Sequence, residues 1–90
     1  MPRRPTSEEA AIIALKALSF IVNSEETLSR FIALSGVDGE TLRATAGEPE
    51  MHVALLDFLL ADEGLLVDFC ETASVDSRTV HMARYVLGGP

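Results

Sequence analysis

Hydrophobic positions recur along this chain with helical rather than strand periodicity, and two stretches are apolar around nearly their whole circumference. The stretch from Pro49 to Asp62 begins with proline at a first helical position, continues in strong helix formers, and offers only Glu50, His52 and Asp57 as polar surface. An earlier stretch starts at Thr6, which with Glu9 forms a capping-box pattern, and runs to about Asn23. Its polar side is the narrow line Glu9, Lys16, Ser19 and Asn23, so it too reads as mostly buried. Both helices need neighbours to cover them.

Four shorter helices follow from the capping signals. Ser24 opens a helix with Glu25 and Glu26 in its first turn and Leu28, Phe31, Ile32 and Leu34 as its apolar face, closed by Gly36. Asp38 caps a short helix from Gly39 to about Ala46 with Leu42 inward. Asp62 caps Glu63 to Ala73, with Leu65, Leu66, Phe69 and Cys70 inward, and Asp76 caps Ser77 to about Leu87 ahead of Gly88, Gly89 and Pro90. No stretch alternates as a strand does. The predicted fold is all-α, one domain of about six helices over residues 6–90 behind a flexible tail, residues 1–5.

The second half repeats the first at an offset of 38 residues: Leu18 with Leu56, Phe20 with Phe58, Glu25 with Glu63, Leu28 with Leu66, Phe31 with Phe69, Val37 with Val75, Asp38 with Asp76, and Thr41 with Thr79. This predicts two pseudo-symmetric three-helix repeats, about 6–47 and 48–88, with the two long apolar helices together at the centre and the other four covering them.

The motifs Ala14-Leu15-x-x-Leu18-Ser19-Phe20, Leu28 through Asp38 with Leu42-Arg43 beyond it, and Leu55-Leu56-Asp57-Phe58-Leu59-Leu60-Ala61-Asp62-Glu63 resemble a family of small alphaproteobacterial proteins known only as a domain of unknown function. The resemblance covers nearly the whole chain. It implies a bacterial, cytoplasmic, stand-alone domain and brings no active site.

Composition narrows the function classes. With 48% hydrophobic residues and few aromatics, 90 residues suffice for a modest aliphatic core sealed by Phe20, Phe31, Phe58 and Phe69. The net charge of −7 is uneven: residues 1–46 carry 5 basic and 6 acidic groups, residues 47–90 carry 2 and 8. Such an acidic surface repels phosphate backbones and anionic membranes. The apolar run at residues 10–22 is broken by Lys16 and lacks a small-residue cleavage site, which argues against a signal peptide, and it is too short to span a bilayer. The lone Cys70 excludes an intrachain disulfide and suits a reducing cytoplasm.

No constellation points to chemistry. Glu48 and His52 stand at i, i+4 without a second ligand pair, Cys70 aligns with Ile32 as a small core residue, and both histidines read as surface or boundary residues, so neither a metal nor another cofactor is expected. Ser74, Ser77 and Thr79 near His81 occupy cap and turn positions rather than an elbow motif, and no enzymatic activity is expected. Two segments, Ile32 to Arg43 and Thr72 to Arg84, resemble a helix-turn-helix, and Arg78, His81 and Arg84 recur along one edge of the second, the candidate contact edge. The charge of that half opposes DNA binding, which stands as the alternative. The principal reading is a protein–protein interaction module, with a homodimer as the simplest use of surplus apolar surface.

Overall fold

The computed structural model describes residues 4–89. Six helices follow the capping signals closely: α1 (Ser7–Val22), α2 (Glu25–Ser35), α3 (Gly39–Thr45), α4 (Pro49–Leu60), α5 (Glu63–Ala73) and α6 (Ser77–Gly88), with no strand among the described residues. The Thr6 hydroxyl accepts from the Glu9 amide while the Glu9 carboxylate accepts from the Thr6 amide, which starts α1. Ser24, Asp38, Asp62 and Asp76 each accept the amide hydrogen three residues on. Glu48 precedes α4 without a side-chain cap, and Pro49, which has no amide hydrogen, lowers the need for one.

The centre is a three-helix arrangement rather than a pair. α1 and α4 pack on each other, and α6 packs extensively on both. Small buried residues on α6 and on α1 explain this. Val80 and Ala83 leave a slim, fully buried face, and on α1 the alanines Ala10, Ala14 and Ala17 are likewise fully buried, so the backbones approach closely. α2 lies on α1 and α5 on α4, while α3 stays at the periphery, held by buried Leu42 and by a hydrogen bond from the His52 ring to the Ala46 carbonyl just beyond the helix.

Elements at the 38-residue offset share local structure. α2 and α5 have the same length and equivalent caps, Ser24 and Asp62, and each ends in a left-handed residue, Gly36 (φ 73°) and Ser74 (φ 57°). Phe20 meets Phe69 edge-to-face at 5.6 Å, and Phe31 meets Phe58 at 5.3 Å in the same geometry. The third helices differ: α6 is central and 12 residues long, α3 peripheral and 7.

Several expectations need correction. His52 is buried, not a boundary residue, because its Nε2–H donates to Ala46 O at 2.8 Å and so replaces water; that bond also fixes the tautomer, since a carbonyl can only accept. Leu34, expected inward, is 75% exposed, because α2 packs through Thr27 and Phe31 and Leu34 lies beyond the contact. α1 is covered on one side only, leaving Ile12, Leu15 and Val22 exposed. Cys70 is half-buried rather than dry core. The expected tail at residues 1–5 lies outside the described residues at 1–3; Pro5 is buried, and the Arg4 guanidinium sits 4.9 Å above the Tyr85 ring.

Candidate interaction surfaces

The outer side of α1 carries Ile12, Leu15 and Val22 at i, i+3 and i+10, a line of apolar side chains with the polar Ser19 between Leu15 and Val22. Ile12 is 54% exposed, and Leu15 and Val22 are each 45% exposed. The stripe ends in a groove of about 320 Å³ in which Leu18 and Val22 of α1 face Leu28 of α2 and Leu42 of α3, with Arg43 as its charged residue. α1 is apolar nearly all round, so the helical period does not distinguish its exposed members from its buried ones; only the placement of its neighbours does.

A second groove, about 380 Å³, lies between α2 and α4 over Phe31 and Phe58, with the exposed Leu34 at its margin. Its acidic groups are neutralised. Arg30 donates to Asp62 at 2.9 Å, and Arg84 donates to Asp57 at 2.8 Å. The third notable groove runs between α5 and α6 and holds Val67, Cys70 and His81.

The structure separates the three residues of the candidate contact edge. Arg78 and His81 are exposed on α6. Arg84 turns inward to Asp57 and also donates to the Gly89 carbonyl at 2.6 Å, tying the end of α6 to α4. Gly88 sits where a Cβ would come within 2.9 Å of Val53, which is why the chain can close against α4 there. Near His81, Ser74 ends α5 through its left-handed backbone, and Thr79 donates both its amide and its hydroxyl hydrogen to Asp76. Among the described residues no group of three or more His, Cys, Asp or Glu side chains is arranged to hold a metal ion, and no helix is long and apolar enough to cross a membrane.

Asp38, Asp62 and Cys70 are perturbed. The hydrogen bond from Arg30, with the Leu65 amide, lowers the pKa of Asp62, and the Thr41 amide, with its hydroxyl, lowers that of Asp38. Burial, with the charge of Asp76, raises the pKa of the Cys70 thiol. A carboxylate whose pKa is depressed on folding stabilises the native state above its unfolded pKa, about 3.9, and that contribution is lost as pH falls through the folded value. Urea unfolding at a series of pH values is therefore expected to show stability falling below about pH 4, with a shallower fall in Asp62→Asn.

These features define a small six-helix domain whose distinctive surfaces are an apolar stripe and apolar grooves between helices. The chain belongs to the family described as "Protein of unknown function (DUF3572)", whose model matches residues 7–90. No curated protein and no solved structure matches it.

Proposed function

We propose that this protein is a non-catalytic interaction module that associates with a second copy of itself through the outer stripe of α1. The observation that carries the reading is the exposure of Ile12, Leu15 and Val22 in one line running into the groove formed with Leu28 and Leu42. Two such stripes crossing about a two-fold axis would bury one another, the self-complementary contact of a cyclic dimer. Electrostatics favours this face: residues 1–46 carry a balance of −1 against −6 for residues 47–90, so copies meeting at α1 keep their acidic halves apart.

The two halves are proposed to be copies of one three-helix unit. The aromatic contacts support this, because the offset of 38 residues converts the pair Phe20–Phe69 into Phe58–Phe31, as an internal two-fold axis requires. The divergence falls on the third helix. The lone cysteine makes a reducing compartment, the bacterial cytoplasm, the proposed location.

DNA binding through the α5–α6 unit is the weaker reading. Exposed Arg78 and His81 favour it, but α6 is packed on α1 and α4, Arg84 is paired with Asp57, and the surrounding half is strongly acidic.

Sedimentation equilibrium over a wide concentration range at low and high salt tests the proposal. The expected result is a dimer that salt does not weaken, and a dissociation constant raised at least about tenfold by Leu15→Glu, a surface change that leaves the helical circular dichroism intact. A monomer at the highest concentration, or a Leu15→Glu variant that associates as well as the wild type, overturns it.

A further inference from the structure

We propose that the groove between α5 and α6 receives a basic amphipathic helix of another protein. The groove, about 500 Å³, has an apolar floor that includes Leu66, Val67 and Cys70, with Glu63 and Glu71 at its rim and Ser77 and His81 along the α6 side. Val67 is 49% exposed there.

The charge pattern is specific to this place. Asp57 and Asp62 are each paired with an arginine, whereas Glu63, Asp68 and Glu71 have no cation within ion-pairing distance among the described residues. Between Arg43 and Arg78 the sequence contains neither lysine nor arginine. Arg78, next to Ser77, does not line the groove. The surface thus combines an apolar floor with carboxylates that lack partners among the described residues, the complement of a helix bearing an aliphatic stripe flanked by cations. The same negative charge disfavours nucleic acid and anionic lipid.

Geometry narrows the partner further. Glu63, Val67 and Glu71 follow one another at i, i+4 and i+8 along one face of α5. At 1.5 Å per residue the two carboxylates are separated by about 12 Å along the axis, with Val67 midway. A docked helix matches this by presenting lysine, leucine and lysine at the same four-residue spacing, its leucine over Val67 and its ammonium groups at Glu63 and Glu71.

The test uses a fluorescein-labelled helical peptide carrying that Lys-x-x-x-Leu-x-x-x-Lys face, a permuted peptide of identical composition with the face scattered, and the full-length protein. Anisotropy titration is expected to show the ordered peptide binding at least about tenfold more tightly than the permuted one, with affinity reduced about tenfold in Glu63→Gln/Glu71→Lys and again in Val67→Asp. The ordered peptide should also slow alkylation of Cys70, the sole cysteine of the chain and part of the groove floor. All three substituted residues are exposed, and circular dichroism is the control for the folding of the variants. Equal binding of the two peptides, unchanged affinity in the variants, or unprotected Cys70 overturns the proposal. So does a change in sedimentation caused by Glu63→Gln/Glu71→Lys, which would show a second copy of this chain as the occupant.

Discussion

Phe69→Ala is expected to lower the free energy of unfolding by about 3–5 kcal/mol. A domain of this size has a total stability of roughly 5–13 kcal/mol, so the loss removes a large share of it. Phe69 is fully buried and lies edge-to-face against Phe20. Truncation therefore removes the ring's burial, leaves a cavity at the contact between α1 and α5, and strips Phe20 of its aromatic partner. Because Phe20 is itself only partly buried, water can enter beside it and relieve part of the cavity cost. Phe31→Ala should behave similarly, since Phe31 is 2% exposed and meets Phe58 in the same way. Urea melts monitored by circular dichroism would measure both. Losses below about 1 kcal/mol would show that these contacts do not hold α2 and α5 to the centre.

Leu56→Ala is expected to cost about 2–5 kcal/mol, and Leu34→Ala less than about 0.5 kcal/mol. Both are leucines on the expected apolar face of a helix. Leu56 is completely buried in α4, the helix in contact with α1, α5 and α6, so no side of its cavity is free to collapse without moving a helix. Leu34 is 75% exposed at the last turn of α2 and loses almost no buried area when truncated. The same melts decide the matter, and comparable losses for the two leucines would contradict this packing.

The helices and their ends are legible because capping is a local interaction. Thr6, Ser24, Asp38, Asp62 and Asp76 each bond to an amide three residues away, and that geometry holds whatever the rest of the chain does. Burial is less legible. His52 reads as polar surface until a carbonyl six residues earlier in the chain takes its ring hydrogen. Arg84 reads as one of three edge residues until Asp57, far away in sequence, takes its guanidinium.

By itself, then, the sequence determined six helices, the start of each and its end to within a residue or two, the aromatic residues in and against the core, and the acidic bias of the second half. Each of these rests on composition or on bonds between near neighbours in the chain. Only the tertiary structure decided that α6 joins α1 and α4 at the centre, that one side of α1 stays bare, and that Glu63 and Glu71 border an apolar groove. A helix that is apolar all round carries no mark of which side will be covered, because burial depends on how closely distant backbones approach, and here the small faces of Ala10, Ala14, Ala17 and Ala83 settle that approach.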